Sequence, residues 1–105
     1  MMTLAEKTYA LLRTVPQGRV TTYKALGDAL GTRAYRAIGQ IMKVNPHAPT
    51  VPCHRVVASN GLLGGYMGKT DGDEIKKKIS LLQSEGISVS NGRIENFANI
   101  LYTFS

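Results

Sequence analysis

The sequence predicts a mainly α-helical domain with short β hairpins, arranged like a winged helix-turn-helix. A length of 105 residues matches one ordinary domain. Capping residues precede amphipathic segments in both halves of the chain. Two short helical segments are separated by a turn of only about two residues, and an Asn-Gly pair separates two short β-branched stretches.

The first two helices are predicted from their caps and apolar spacing. Thr3 and Glu6 stand at the spacing of a capping box, so we expect the first helix over residues 3–14. After a short β-branched stretch at residues 19–21, Thr22 is expected to cap a second helix that runs through Leu30. Gly31 then ends that helix, because glycine readily adopts the left-handed conformation of a C-terminal cap.

The third helix, predicted over residues 33–43 with Thr32 as its cap, has two distinct faces. The residues expected to face the core are Ala34, Ala37, Ile38 and Ile41. The residues on another face, none of them acidic, are Arg33, Arg36, Gln40 and Lys43. Such a face suits a recognition helix that contacts phosphates and base edges. The ordinary alternative is a solvated amphipathic helix.

The second half of the chain is predicted to contain a loop, one long helix and a hairpin. Proline and glycine make residues 47–51 and 61–68 loops. A cap-like acidic stretch at residues 71–74 opens a helix that ends near Ser84, with Lys76, Lys77 and Lys78 mostly solvated. Residues 87–89 and 93–95 flank the Asn-Gly turn of a small hairpin.

Composition excludes several classes of protein. With 43% hydrophobic and 19% charged residues, the chain can bury a core. It has no apolar run of membrane-spanning length and no secretory leader, so we expect no membrane and a cytoplasmic or nuclear location. The single cysteine, Cys53, excludes internal disulfides and a thiolate-rich zinc site. We therefore expect neither a metal nor an organic cofactor.

The net charge of +6 is concentrated in the first part of the chain. Residues 1–60 hold eight basic side chains against Glu6 and Asp28, whereas residues 61–105 are balanced. No carboxylate stands between Asp28 and Asp71. A segment of one sign attracts a polyanion such as nucleic acid, although a basic surface that only maintains solubility is an equal alternative.

Cys53 lies in the segment Pro52-Cys53-His54-Arg55, where neighbouring positive charge favours the nucleophilic thiolate. Sequence neighbours seldom face each other, so His54 is expected to act through a water or a local bend. Glu85 is the carboxylate best placed to orient His54, since the others cluster at helix starts or in the hairpin. For an isolated pair of this kind, a buried structural cysteine is the ordinary alternative.

Read together, the motifs resemble the C-terminal domain of the O6-alkylguanine-DNA alkyltransferases, also called methylated-DNA–protein-cysteine methyltransferases. The active-site signature of that family is Pro-Cys-His-Arg-Val, found here at residues 52–56. The other matching motifs, in order, are Gly18-Arg19-Val20-Thr21-Thr22-Tyr23, Tyr35-Arg36-Ala37-Ile38-Gly39, Asn45-Pro46, Gly64-Gly65-Tyr66 and Leu81-Leu82-Gln83-Ser84-Glu85-Gly86. The resemblance covers roughly residues 3–90.

This resemblance implies a role for each catalytic residue. Cys53 would accept the alkyl group, His54 would act on it as a base through a water, and Glu85 would orient His54. Tyr23 would donate a proton to the leaving guanine. Asn45 would hold the turn that brings the active-site loop against the recognition helix.

The resemblance also implies a DNA surface and a base pocket. Arg36 would fill the gap left in the duplex when the damaged base flips out. The full set expected to bind DNA is Thr22, Arg33, Arg36, Gln40 and Lys43. The base pocket would be lined by Tyr66, Pro52, Val56 and Met67. Its partner would be double-stranded DNA containing O6-alkylguanine, bound by a monomer, and each molecule would react once.

The chain departs from the family pattern in two respects. It begins almost at the first helix, so we expect that the N-terminal domain of larger members is absent and that residues 1–105 form one DNA-binding and active-site domain. Met67 stands where the family often has a small hydroxyl residue, and residues 69–73 look like an insertion. These departures affect stability and the preference for alkyl groups.

Three alternatives remain open. Alkyltransferase-like proteins bind alkylated DNA without repairing it, but commonly have Trp in place of the cysteine. A winged-helix transcription regulator would explain the helix-turn-helix and leave the Cys53 segment unexplained. A cysteine hydrolase is disfavoured because nothing in the sequence suggests an oxyanion hole.

Overall fold

A computed structural model describes residues 1–104 of the chain. The fold is mostly helical with short strands, as predicted. The helices are α1 Leu4–Leu12, α2 Tyr23–Leu30, α3 Tyr35–Lys43, α4 Gly72–Ser84 and α5 Phe97–Ile100. The strands are β1 Thr21–Thr22, β2 Val56–Val57, β3 Val89–Ser90 and β4 Arg93–Ile94, and a single 3₁₀ turn spans Cys53–Arg55.

The predicted caps of α1 and α2 are confirmed. The hydroxyl of Thr3 accepts a hydrogen bond from the Glu6 backbone N–H, and the Glu6 carboxylate accepts one from the Thr3 N–H, both at 3.1 Å. The hydroxyl of Thr22 accepts a 3.0 Å bond from the Ala25 N–H. Helix α1 ends at Leu12 rather than at residue 14, because the chain tightens into a turn there.

Helix α3 differs from the prediction at its start. It begins at Tyr35, so Arg33 and Ala34 precede it, because the Thr32 hydroxyl accepts a hydrogen bond from the N–H of Ala34, only two residues on. The first three residues of the helix are exposed, and burial begins at Ile38. Ile38 and Met42 are buried, Ile41 is half-buried, and Ala34 and Ala37 are exposed, which corrects the predicted core face.

The predicted hairpin is confirmed, although its first strand begins at Val89, two residues later than expected. Val89 pairs with Ile94 and Ser90 with Arg93, which leaves Asn91 and Gly92 as the tight turn. The second strand pair is parallel and was not predicted. Thr21 pairs with Val56, so β1 brings the segment before α2 beside the segment that follows the 3₁₀ turn.

Two hydrophobic clusters hold these elements together. The first joins α1, α2 and α3 to the loop around the single cysteine and consists of Leu12, Leu26, Ile38, Met42, Val51, Cys53, Val56 and Tyr66. The second joins α4 to the hairpin and consists of Val20, Val57, Leu63, Leu82, Ile87 and Ile94. Because Val56 of β2 belongs to the first cluster and Val57 to the second, this strand connects the two halves of the core.

Helix α4 corrects two further expectations. The Asp71 side chain makes no capping hydrogen bond. Lys78 is fully buried, although Lys76 and Lys77 are exposed as expected. Lys78 stands three residues after Ile75 and four before Leu82, which is the spacing of the buried face. Among residues 1–104, no helix is long and apolar enough to cross a bilayer.

Candidate active site

Cys53 opens the 3₁₀ turn directly after Pro52 and lies at the floor of a cavity of about 210 Å³. Its backbone N–H donates to the Val51 carbonyl at 2.8 Å, and the Arg55 N–H donates to the Pro52 carbonyl at 3.0 Å. The side chain is 4% exposed. The local turn therefore fixes the thiol inside a recess that opens to solvent.

The cavity brings together some of the predicted site residues and omits others. Tyr23, Cys53, Tyr66 and Met67 line it, whereas Pro52 and Val56 are buried outside its lining. The lining residues that the sequence did not assign to the base pocket are Gly39, Met42, Lys43, Gly65, Gly68, Lys69 and Thr70. Gly65 and Gly68 pack closely against Lys69 and Lys43, whereas Gly39 has open space beside it.

Asn45, buried at the end of α3, holds the loop that leads to Cys53. Its side-chain N–H donates to the Val51 carbonyl at 2.9 Å, and its side-chain oxygen accepts from the His47 N–H at 3.0 Å. This arrangement agrees with the expectation that Asn45 braces a turn. It places the loop next to the end of the predicted recognition helix.

His54, Glu85 and Arg55 form a buried hydrogen-bonded cluster behind Cys53. The His54 Nε2 atom lies 2.9 Å from Glu85 Oε2. Arg55 donates to both oxygens of the same carboxylate, at 2.8 and 2.7 Å, and also to the Val15 carbonyl at 2.7 Å. The charge of Arg55 is therefore paired with Glu85, a partner that sequence reasoning missed because 30 residues separate them.

Burial and hydrogen bonding within the cluster shift the pKa values of Glu85 and His54. Burial raises the pKa of Glu85, but hydrogen bonds from Arg55 and His54 outweigh it, so that the pKa is lowered overall. Burial lowers the pKa of His54, although Glu85 opposes this. Nδ1 of His54 is buried and has no hydrogen-bond partner among residues 1–104. The ring thus has one nitrogen anchored and one unpaired.

The thiol itself is held in its neutral form. Burial raises the pKa of Cys53, while the Asn45 amide and the positive charge of Lys78 act in the opposite direction. Burial also raises the pKa of Tyr23, and the nearby Cys53 adds to this effect. A thiol that is mostly protonated at rest needs a base before it can act as a nucleophile.

Lys78 was predicted to be solvated but is buried near the cavity. Its ammonium donates to the carbonyls of Val56, Leu63 and Gly65 at 2.8, 2.7 and 2.9 Å. Burial lowers its pKa to about 7. Lys78 therefore ties β2, next to Cys53, to the loop that forms one wall of the cavity.

The predicted DNA-contact residues in and before α3 are exposed at the protein surface. Arg36, Gln40 and Lys43 are exposed, and Arg33 is exposed just before the helix begins. Lys43 also lines the cavity. Thr22 is only 5% exposed and its hydroxyl is occupied as the cap of α2, so it presents little surface to a ligand.

A larger cavity, of about 590 Å³, lies away from this site between α2 and the C-terminal segment. Its only lining carboxylate, Asp28, is paired with Lys24 at 2.9 Å. Across residues 1–104, no group of three or more His, Cys, Asp or Glu side chains could hold a metal ion. Cys53 lines the smaller cavity, and His54 is buried outside the lining of both.

The structure therefore combines a buried cysteine, a His-Glu pair and an exposed basic helix in one mostly helical domain. Residues 3–87 match the family described as 6-O-methylguanine DNA methyltransferase, DNA binding domain. The chain belongs to this family.

Curated relatives carry names from the same family. The chain is 42% identical over 88 residues to a bifunctional methyltransferase/endonuclease of Picrophilus torridus, covering 83% of this chain and 28% of that protein. It is 43% identical over 75 residues to a methylated-DNA–protein-cysteine methyltransferase of Saccharolobus islandicus, covering 71% of this chain and 45% of that protein. The chain thus spans less than half the length of these relatives.

Solved structures agree on the fold. The O6-methylguanine-DNA methyltransferase of Pyrococcus kodakaraensis is 41% identical, with a TM-score of 0.69 over 82% of this chain and 47% of that one. The OGT of Mycobacterium tuberculosis in complex with DNA is 35% identical, with a TM-score of 0.70 over 81% and 50%. The ATL of S. pombe in complex with DNA is 26% identical, with a TM-score of 0.79 over 99% and 100%.

Proposed function

We propose that this chain repairs DNA by transferring an alkyl group from O6-alkylguanine to Cys53 in a single turnover. The observation that carries the proposal is the position of the chain's one thiol at the floor of the cavity, directly before a histidine held by Glu85. The family membership and the names of the relatives support the same chemistry.

The proposed reaction is one displacement at the alkyl carbon. The thiol proton passes through a water to Nδ1 of His54, which is buried and has no protein partner among the described residues. The sulfur then forms a bond to the alkyl carbon while the bond from that carbon to O6 breaks. The guanine takes up a proton from Tyr23, which regains one from solvent. The products are S-alkylcysteine and unmodified guanine.

Glu85 and Arg55 support this step without touching the substrate. The hydrogen bond from His54 Nε2 to Glu85 keeps that nitrogen protonated, so the free electron pair stays on Nδ1. Arg55 holds the carboxylate in place through two hydrogen bonds. Because a thioether is a very poor leaving group, nothing in the chain can regenerate Cys53.

The proposed substrate is a base flipped out of double-stranded DNA. An alkyl carbon within a stacked pair cannot be approached in line, so the base must enter the cavity. Arg36 would fill the vacated stack, while Gln40 and Lys43 contact the DNA beside it. The exposed basic face next to the cavity supports this orientation, since phosphate contacts provide most of the affinity for a duplex.

Non-catalytic lesion binding is the second candidate function. It is favoured by the full-length structural match to the S. pombe ATL, which covers 99% of this chain. The position of Cys53 in the cavity argues for transfer instead, because a binding protein has no need of a thiol beside a buried histidine.

Intact-protein mass spectrometry tests the proposal. The chain is incubated with a duplex containing O6-methylguanine, and with the same duplex containing guanine as the control. We expect the damaged duplex alone to add the mass of one methyl group in place of one hydrogen, and Cys53→Ala to bind the duplex without gaining mass. Lesion-specific binding by the native chain without a mass change would establish the non-catalytic function.

A further inference from the structure

Met67 occupies an unusual backbone position in the wall of the thiol cavity. The backbone N–H of Tyr66 donates to the Lys69 carbonyl at 2.8 Å, and the N–H of Lys69 donates to the Tyr66 carbonyl at 3.0 Å. Met67 and Gly68 are therefore the two central residues of a tight hairpin turn. Their φ angles are 51° and 81°, and positive φ at both positions is what a type I′ turn requires.

The same chain shows which residues such a turn ordinarily uses. In the β3–β4 hairpin the equivalent pair is Asn91-Gly92, with φ angles of 52° and 72°. Asparagine suits the first position because its short polar side chain tolerates the left-handed region, which other residues enter at a cost of about 1–2 kcal/mol. Met67 therefore breaks a local rule that the chain obeys elsewhere. Such exceptions concentrate at functional sites.

The Met67 side chain lies close to Cys53. Its sulfur is 4.0 Å from the sulfur of Cys53, and the side chain packs against the cluster that contains Cys53 and Tyr66. The hairpin turn fixes the point from which this side chain extends. The remaining cavity, about 210 Å³, is smaller than the roughly 300–1,000 Å³ of ordinary small-molecule sites.

We infer that Met67 limits the size of the alkyl group that reaches Cys53, admitting a methyl group and disfavouring groups as large as benzyl. The inference rests on the proposed transfer and defines its substrate class. An incoming alkyl carbon must approach the Cys53 sulfur, and any larger substituent on that carbon has to share the space that the thioether fills. Because methionine is flexible, the limit is a reduced rate rather than complete exclusion.

Two variants open the space without straining the turn. Met67→Asn installs the residue that the β3–β4 turn already uses, and Met67→Gly is a second variant that also tolerates positive φ. Met67→Leu is the matched control, since it keeps the bulk but removes the sulfur. Thermal unfolding establishes that each variant is folded before its reactivity is compared.

The first measurement uses single-turnover transfer from duplexes that contain O6-methylguanine or O6-benzylguanine. We expect Met67→Asn and Met67→Gly to raise the ratio of benzyl to methyl transfer rates by about tenfold, in the range that one pocket contact provides. Met67→Leu should leave the ratio close to that of the native chain. An unchanged ratio in the Asn and Gly variants would overturn the inference.

The second measurement needs no DNA and separates the inference from the proposed function. Cys53 is the chain's only thiol, so its modification by methyl and benzyl methanethiosulfonate reports directly on the space beside the sulfur. Relative to the native chain, the Asn and Gly variants should increase the rate of Cys53 modification by the benzyl reagent more than the rate of modification by the methyl reagent. If the native chain transfers no alkyl group but this shift occurs, the proposed function fails and the size limit stands. Equal acceleration of both reagents contradicts the size limit even where transfer is observed.

Discussion

The ammonium of Lys78 donates a 2.9 Å hydrogen bond to the carbonyl of Gly65, 13 residues earlier in the chain. The same group reaches the carbonyls of Val56 and Leu63. One side chain on α4 thereby fixes the spacing between the strand that follows Cys53 and the loop that carries Tyr66 and Met67. The dimensions of the cavity depend on this contact.

Removing the Lys78 amino group should destabilise the fold by an amount that depends on pH. Lys78→Met keeps the length of the side chain but leaves three buried carbonyls without their donor, at a cost of about 2 kcal/mol. Burial lowers the pKa of Lys78 to about 7 from the usual 10.5. Between these two pH values Lys78 is protonated in the unfolded chain but largely neutral in the folded chain. The free energy of unfolding of the native chain therefore rises with pH over this range. The destabilisation by Lys78→Met should therefore be larger at alkaline pH than at slightly acidic pH.

Urea unfolding measures this difference. Both proteins should carry Cys53→Ala, so that the thiol does not titrate in the same range. A gap in unfolding free energy that stays constant as the pH rises would show that Lys78 keeps an ordinary pKa in the folded chain, and a narrowing gap would show that folding raises this pKa.

Neutralising Glu85 should slow alkyl transfer mainly near neutral pH. Glu85→Gln keeps the size of the side chain but removes the charge that supports protonated His54, so less of the Cys53 thiol is converted to thiolate. At high pH the thiolate forms without help, and the rate should partly recover. Single-turnover rates from acid to alkaline pH measure this, and an equal loss at every pH would assign Glu85 a purely structural role.

The same substitution should change acid stability in a defined direction. The folded chain holds the pKa of Glu85 below its usual 4.5. The ionised carboxylate therefore stabilises the fold fully above pH 4.5, and this stabilisation is lost as the pH falls from 4.5 through the lower pKa of the folded chain. The Glu85→Gln variant should therefore lose less stability than the native chain between neutral and acidic pH. Circular dichroism can follow unfolding of both proteins at each pH. If their unfolding free energies fell in parallel as the pH decreased, the lowered pKa of Glu85 would be contradicted.

Arg36 and Lys43 should affect DNA differently although both are exposed on α3. Arg36→Ala should slow repair more than it weakens binding, because its proposed task is to fill the vacated stack. Lys43→Ala should weaken binding to any sequence and reduce the salt dependence by about one phosphate contact. Lys76→Ala, exposed on α4 away from the cavity lining, is the control. Equal loss of affinity in both α3 variants, with normal repair of bound DNA, would contradict the role of Arg36.

Position 68 requires glycine for two reasons, which are its positive φ angle and its close packing against Lys43. A methyl group at Gly68 would lie 2.8 Å from the Lys43 stem, whereas one at Gly92 would meet nothing within 4 Å. Both glycines have positive φ, so Gly92→Ala should cost about 1 kcal/mol from backbone strain alone. Gly68→Ala should cost more and also displace Lys43, lowering DNA affinity. Chemical denaturation and binding titrations test this, and identical costs with unchanged affinity would exclude the contact.

The sequence by itself determined the elements whose hydrogen bonds close within a few residues. The box at Thr3 and Glu6, the cap at Thr22 and the turn at Asn91-Gly92 all form as predicted, because each satisfies backbone groups locally. The start of α3 was predicted wrongly for the same kind of reason. Thr32 had two local partners within reach, and it bonds the nearer one, Ala34.

The tertiary structure alone decided which distant groups meet around Cys53. The pairing of Arg55 with Glu85 joins residues 30 positions apart, and the burial of Lys78 uses carbonyls from two separate segments. The approach of Met67 to Cys53 follows from a turn that ordinary propensity would assign to asparagine. None of these contacts repeats with a helical or strand period. The contacts of Arg55 and Lys78 form because an unpaired buried charge or carbonyl would cost more free energy than ordering these side chains.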